Sequence, residues 1–347
     1  MSTEITSLVT SVGLDIAKTW FQAHGADHEG KLVFRRKLKR DQVLRFFAEL
    51  PATTIGMEAF STAHHWARQL AGLGHRVRLI PPQYVKPFVK RSKTDSADAE
   101  AICEALRRSG IRDVAVKTPE QQGSLMLHRA RDLLVRQRTM LTNALRGFAA
   151  EFGLVVAQGA WNIAKLRELL HGADASVLPD EARDTAQMLF GQLDELGHKV
   201  ELLERRIMAW HRSNEVSRRL ASIPGIGPIN ATLITATVAD AAQFRSGREF
   251  AAWIGLVPRE HSSGGKQRLG GISKRGNPYL RRLLIVGAHA VLRWTRRGKG
   301  MQTAWLLGLI ERRPANVVAV AIANKMARIA WALMARGGEY RSATVAA

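Results

Sequence analysis

The chain has 347 residues, 46% of them hydrophobic, which is enough for a sizeable core in two or three domains and argues against wholesale disorder. Fifty-two Lys and Arg against 30 Asp and Glu leave a net charge of +22, a field that attracts polyanions: nucleic acid first, an anionic membrane surface second, with a generally basic proteome as the bland alternative. A single cysteine, Cys103, excludes an intrachain disulfide and a four-cysteine zinc site and suits a reducing cytoplasm.

The opening MSTEITSLVTSVGL has no basic leader followed by a long apolar run, so no signal peptide is expected. Residues 9 to 37 carry the strand-like runs VTSVGLDIA, WFQAHGA and LVFRRKL, with DHEGK as a turn signal. They predict an antiparallel meander. DQVLRFFAEL has helical spacing, TTIGMEAF reads as a strand, and STAHHWARQLAGLG as a helix with Ser61 or Thr62 at its N-cap. HRVRLIPP is a further strand stopped by Pro81 and Pro82. The basic loop QYVKPFVKRSK follows, then a helix, TDSADAEAICEALRRSG, opened by Thr94. Antiparallel strands followed by strands alternating with helices predict an α/β domain over 8–116.

Strand signals vanish over 117–220. Leu127, Leu134, Leu141, Leu145 and Phe148 predict one long helix. Leu189, Leu193, Leu196, Val200, Leu203 and Ile207 recur every four and three residues, a heptad seam that predicts a coiled-coil segment packed on the earlier helix or on a second subunit. The last region, 221–342, is predicted mainly helical. In SIPGIGPINATLI, Pro-Gly-Ile-Gly-Pro resembles a helix-hairpin-helix turn, in which Gly225 and Gly227 let backbone amides approach a phosphate; a plain tight turn is the alternative. Residues 261–278, rich in Gly, Ser, Lys and Arg, read as a strongly basic loop. NVVAVAIANKMARIAWALMA is broken by Asn324, Lys325 and Arg328, so it predicts a buried amphipathic helix, not a membrane span, and a soluble protein.

Asp15 stands in a strand where an apolar side chain would be ordinary, and burying that charge is costly unless a cation meets it. Glu58 ends a later apolar strand. Asp95 and Asp98, three apart, share one face at the start of a helix. Four such acids meeting at one end of a sheet would suit hard divalent cations, which take oxygen ligands, and two cations about 4 Å apart can flank a phosphate. Taken singly, each acid could equally be a cap or turn residue, or favour a helix N-terminus. Their joint order fits a ribonuclease-H-like sheet. His64 and His65, adjacent on a helix, point to different faces and read as surface or packing residues. In HSSGGKQRLGGISKRGNPYLRR, Ser262, Ser263 and Ser273 are candidate nucleophiles toward a phosphodiester. Lys266, Arg268, Lys274 and Arg275 would stabilise the developing charge. The alternative is a phosphate-binding loop with no covalent role.

The chain resembles the DEDD transposases of bacterial insertion sequences, the IS110 family, over nearly its whole length. The likeness rests on GLDIAK, GMEAFSTAHHWARQL and KTDSADAEAI, and on SIPGIGPINATLI, REFAAWIGLVPREHSSGGKQRLGGISKRGNPYLRRLLI and ANKMARIAWALM. The resemblance implies a Holliday-junction-resolvase-like domain with its tetrad at Asp15, Glu58, Asp95 and Asp98, holding Mg2+ or Mn2+. It implies a C-terminal transposase domain whose nucleophile falls on Ser263, with Ser262 beside it as the alternative. The implied activity is cutting and rejoining of donor and target double-stranded DNA through a covalent serine–DNA phosphate, in a cytoplasmic, nucleoid-associated dimer or tetramer with composite sites. A structured noncoding guide RNA is implied as a partner. Lys266, Arg268, Lys274, Arg275, Gly225 and Gly227 are the expected nucleic-acid contacts. The rival expectations are a metal-dependent junction nuclease and a non-catalytic nucleic-acid-binding relic.

Overall fold

The computed structural model describes residues 8–89, 94–159, 162–171 and 178–341. The first seven residues and residues 90–93 of the basic loop lie outside them. The chain forms two compact units: residues up to 119 joined by 238–243, and residues 120–237 joined by 244 onward.

In the first unit the strands are β1 (Ser11–Ile16), β2 (Trp20–Ala26), β3 (Leu32–Lys39), β4 (Thr54–Glu58) and β5 (Arg76–Ile80). They form one mixed sheet in the order β3-β2-β1-β4-β5. The first three are antiparallel, and β4 and β5 run parallel to β1. The predicted meander is present, and its DHEGK turn is closed by Asp27, whose Oδ1 accepts the N–H groups of Glu29, Gly30 and Lys31 at 2.8–3.0 Å. Alternation sends Val12, Leu14, Phe21, Phe34 and Leu38 into a core shared with α1 (Val43–Ala48) and α2 (Ala63–Gly72). Thr62 stands at the N-cap of α2, but in the left-handed region (φ 67°), and its hydroxyl makes no capping bond; local chain reversal, not side-chain chemistry, starts that helix.

The opposite face of the sheet carries α3 (Asp95–Leu106). Thr94 caps it as predicted, its Oγ1 accepting from Ala97 N at 3.2 Å. Helix and sheet meet where side chains are missing. A Cβ on Gly13 would lie 2.1 Å from the Ala99 carbonyl oxygen and 2.5 Å from Cys103 N; one on Gly56 would lie 3.2 Å from Ile102. The far end of α3 is pinned by Arg78 of β5, which donates to Asp113 (2.8 Å) and to the carbonyl of Leu106 (2.6 Å).

In the second unit α4 (Pro119–Glu151), α5 (Ile163–His171) and α6 (Asp180–Ser213) form a helical group. Leu145 and Ala149 of α4 share a cluster with Leu166, Leu170, Ala186, Phe190 and Leu193. Arg131 near the start of α4 bonds Glu204 near the end of α6 (2.8 Å), so α4 and α6 run antiparallel. Of the heptad seam, Leu189 and Leu193 pack in this cluster with the earlier helix. Phe148 differs from expectation: it is 53% exposed, because the buried stripe of α4 passes through Leu145 and Ala149 instead.

Helices α7 (Glu215–Ala221), α8 (Pro228–Thr237), α9 (Gly247–Ile254), α10 (Pro278–Arg296), α11 (Ala304–Arg312) and α12 (Ala315–Arg336) follow. Helix α12 is long and apolar enough to cross a membrane, yet half of its most apolar stretch is buried against its own unit. Residues 261–278 are not all loop. β6 (Pro258–Glu260) pairs with β7 (Leu269–Ile272) in a hairpin. The glycines of Leu-Gly-Gly-Ile hid a strand that only pairing reveals.

Because the clash at Gly13 is with backbone, Gly13→Ala should lower the urea midpoint, by roughly 1–3 kcal/mol of stability. Gly72→Ala in α2, with open space around it, should instead gain roughly 0.5–1 kcal/mol. Equal effects of the two changes would contradict this account of the helix–sheet contact.

Candidate active site

Ser11, Val12 and Gly13 of β1 pair with Thr54, Ile55 and Gly56 of β4. Two residues further along both parallel strands stand Asp15 and Glu58. They occupy equivalent positions at adjacent strand ends, on the face that Gly13 and Gly56 present to α3. Going from Ser11 to Gly13, the strand meets first Cys103, whose Sγ lies 3.8 Å from Ser11 Oγ, and then Ala99. Helix and strand therefore run antiparallel. The next turn of the helix toward its N-terminus, with Asp98 and Asp95, comes over the Asp15 end.

The electrostatics agree with this placement. The Asp15 carboxyl is pushed up to about 6 by burial, and further by the charges of Asp98, Asp95 and Glu58, against a hydrogen bond from its own neighbour Ile16. No cation pairs with Asp15 among the described residues. The four acids share one field but are not drawn into a cage: among the described residues no three His, Cys, Asp or Glu side chains are gathered closely enough to hold a metal ion. An all-oxygen donor set with excess negative charge fits a hard divalent cation in chemistry. Cys103 is buried beneath the site, which pushes its thiol up and leaves it unreactive. His64 and His65 do not act together: His64 Nδ1 accepts from Lys117 N at 3.3 Å, and His65 is exposed.

The sequence carried a sign of this site that alternation alone does not give. Gly13-Leu14-Asp15 and Gly56-Met57-Glu58 repeat the pattern glycine–apolar–acid at two parallel strand ends. The glycine admits the helix; the acid two residues on shares its face.

In the second unit the serine hairpin has its own logic. Gly264 and Gly265 both have positive φ (56° and 73°), as a two-residue type I′ turn requires. Lys266 N donates to Ser263 O at 3.0 Å, so Ser263 opens the turn. The Ser262 hydroxyl is engaged, donating to Glu260 Oε1 (2.9 Å) and accepting from Arg268 N (3.2 Å). The Ser263 hydroxyl is exposed and has no hydrogen-bond partner among the described residues. Ser273 has a buried hydroxyl with no partner among the described residues, away from any solvent-borne substrate. Lys266, Arg268, Lys274 and Arg275 are exposed.

The base of the hairpin is stitched to the end of α9. Lys274, at φ 55°, donates its N–H to Gly255 O (3.2 Å), and a Cβ on Gly276 would lie 2.0 Å from Trp253 O. Arg281, which sequence reading passed over, donates to the carbonyls of Ile254 (2.9 Å) and Arg275 (2.6 Å). Gly225, in the turn between α7 and α8, has φ 86° and packs against α10, where a Cβ on Gly287 would lie 1.9 Å from Gly225 O. Gly227 is exposed with open space around it.

Residues 12–152 match a DEDD transposase family model of the IS110 group, and residues 217–301 match the model described as "Transposase IS116/IS110/IS902 family". The chain is 50% identical over 334 residues to a probable family 20 transposase of Pseudomonas aeruginosa, covering 96% of this chain and 99% of that one. It is 43% identical over 330 residues to the transposase for insertion sequence element IS1111A of Coxiella burnetii, covering 95% and 91%. The chain belongs to the IS110 family of insertion-sequence transposases. It is also 40% identical over 329 residues to the transposase for insertion sequence element IS1328 of Yersinia enterocolitica, covering 95% and 98%. A transposase is a DNA-cleaving and DNA-rejoining enzyme, and the basic charge of this one has its partner in DNA.

The Asp15 carboxyl lies above its ordinary value of 3.8. The folded state therefore binds the proton more tightly than the unfolded chain, and stability falls as pH rises from about 4 to about 6. Asp15→Asn should raise the thermal midpoint above pH 6 and leave it unchanged below pH 4. A difference that grows on acidification would contradict the crowding of like charge.

Proposed function

We propose that this transposase exchanges DNA strands through a covalent serine–DNA phosphate, with Ser263 as nucleophile and Asp15, Glu58, Asp95 and Asp98 as ligands of Mg2+ or Mn2+. The observation that carries the reading is the shared field of the four carboxylates at one sheet end, where burial first, and then the charges of Asp98, Asp95 and Glu58, push the Asp15 carboxyl up to about 6. The strand order, with acids at neighbouring parallel strand ends, supports a ribonuclease-H-like, Holliday-junction-resolvase-like domain. The antiparallel α4 and α6 support a coiled-coil middle. Met140, Met188 and Leu202 remain exposed on these helices (70%, 67% and 44%), which supports assembly into a dimer or tetramer with composite sites.

In this reading Ser263 Oγ attacks a phosphodiester, forming an O–P bond as the bond to one deoxyribose oxygen breaks. That oxygen leaves with a proton, and the serine proton passes to solvent or a neighbouring base. A strand hydroxyl then attacks the serine phosphodiester and regenerates the serine, so one ester replaces another without a nucleotide cofactor. Divalent cations, when bound, neutralise charge on the phosphate oxygens. Lys266, Arg268, Lys274 and Arg275 hold the backbone electrostatically, and the amides of Gly225 and Gly227 offer a second phosphate contact. A structured noncoding RNA that selects donor and target by base pairing, while the protein grips backbones, fits a +22 chain. An enzyme that works on DNA in this way belongs at the bacterial nucleoid.

Ser263 is favoured over Ser262 because only its hydroxyl is uncommitted. With the element's junction DNA, its flanking transcript and Mg2+, the wild type should yield a protein–DNA adduct stable to detergent. Ser263→Ala should abolish adduct and strand exchange, Ser262→Ala should retain both, and Asp15→Asn should slow exchange roughly 10²–10³-fold. Cleavage surviving in Ser263→Ala would point to a metal-dependent junction nuclease. Binding without any strand exchange in the wild type would point to an inactive relic.

A further inference from the structure

The pairing register places more than acids at this end of the sheet. Asp15 pairs with Gln22, and Gln22 with Lys37. Residues directly opposite share a face, so Glu58, Asp15, Gln22 and Lys37 form a row across four strands. Trp20 pairs with Lys39, two residues further out on the same face. Alternation confirms the face: Phe21 and Leu38, between these residues, are buried in the core on the other side. Arg35, two residues before Lys37, donates to Glu100 of α3 at 2.9 Å.

The cations here are held but not neutralised. Lys37 Nζ lies 4.9 Å and Lys39 Nζ 5.7 Å from the centroid of the Trp20 ring, an arrangement favourable to ammonium groups. Neither lysine has a carboxylate partner among the described residues. Trp20 itself is 37% exposed. At the same sheet end the Arg40 guanidinium rests on Trp66 (5.2 Å), and a hollow of about 560 Å³ is lined by Lys18, Lys39, Arg40 and His65 together with one acid, Asp41. Charges on an edge strand also discourage edge-to-edge pairing. That purpose does not require them on the face of the acids or against an indole.

Adjacent strands lie about 4.8 Å apart, so the Lys37 backbone stands roughly 10 Å from that of Asp15. Phosphates along one DNA strand advance about 3.4 Å per nucleotide along the axis. We propose that Lys37 and Lys39, carried on the Trp20 ring, grip the DNA backbone one to three nucleotides from the phosphate that sits at the four carboxylates. This rests on the reading of those carboxylates as the reacting centre. The lysines are positioning residues: they fix the strand's path across the sheet and leave the chemistry to the acids and serine.

The test uses the full chain, a labelled duplex of the element's end, and Ca2+ in place of Mg2+, so that a hard cation is present while binding is kept apart from cutting. Lys37→Ala with Lys39→Ala should make the slope of log affinity against log salt shallower by roughly two. Arginine at both positions should restore it. Neutral methylphosphonates placed singly along the strand should weaken wild-type binding within three nucleotides of the cut and cost the double variant nothing further there. An unchanged salt slope, or coupling only to phosphates elsewhere, would overturn the grip. If Asp15→Asn cuts at the wild-type rate while the lysine effects persist, it is the carboxylate reading that fails, and with it the proposed distance from the cut.

Discussion

The contact between Gly13 and the backbone of Ala99 and Cys103 sets the height at which α3 crosses the sheet. A side chain there would lift the helix and carry Asp95 and Asp98 away from Asp15. Gly56 does the same service one strand over, against Ile102 and Leu106. Backbone-to-backbone approach is what turns acids distant in sequence into one electrostatic unit. The Thr94 cap at one end of α3 and the Arg78 clamp at the other fix its position along the strands. Each of these features is ordinary by itself; together they bring four like charges into one field, an arrangement that folding alone does not favour.

Charge is divided sharply over the molecule. The chain is +22, yet the sheet end at Asp15 gathers four carboxylates into one field, and no described cation pairs with Asp15 itself. A polyanion drawn by the overall field would meet repulsion at that spot unless hard cations intervene. The exposed lysines two strands away lie where they can hold phosphates beside such a spot. Long-range attraction thus competes with local repulsion at the acidic end, a conflict that the proposed divalent cations would relieve.

What was legible in the sequence is what local chemistry decides. WFQAHGA coincides with β2, Thr94 caps α3, Asp15 lies on the first strand and Glu58 ends a later one, as expected. The misses depend on partners. Leu269–Ile272 is a strand only because Pro258–Glu260 lies beside it. Phe148 is exposed because neighbouring helices bury Leu145 and Ala149 instead. Thr62 leaves its cap unmade because the chain enters α2 through a left-handed turn. The helix Ile163–His171 drew no notice because nine residues give little periodicity to read. Glycine was the hardest letter: Gly13 and Gly264 look alike in the sequence, yet one admits a helix and the other makes a turn.

The serine hairpin joins an exposed tip to a braced base. Its tip is a two-glycine turn that places Ser263 in solvent with no described partner to restrain the hydroxyl. Its base is the reverse. Gly255 and Gly276 bring two backbones together without side chains between them, Lys274 is held in a left-handed conformation that few lysines adopt, and Arg281 ties both strands of the crossing by their carbonyls. Strain of this kind persists only where the surroundings enforce it. Ser262, pinned to Glu260 and Arg268, carries that bracing to the residue next to Ser263. The two adjacent serines therefore differ, since the Ser262 hydroxyl fixes the hairpin while the Ser263 hydroxyl is exposed with no hydrogen-bond partner among the described residues, the contrast on which the proposed choice between them rests.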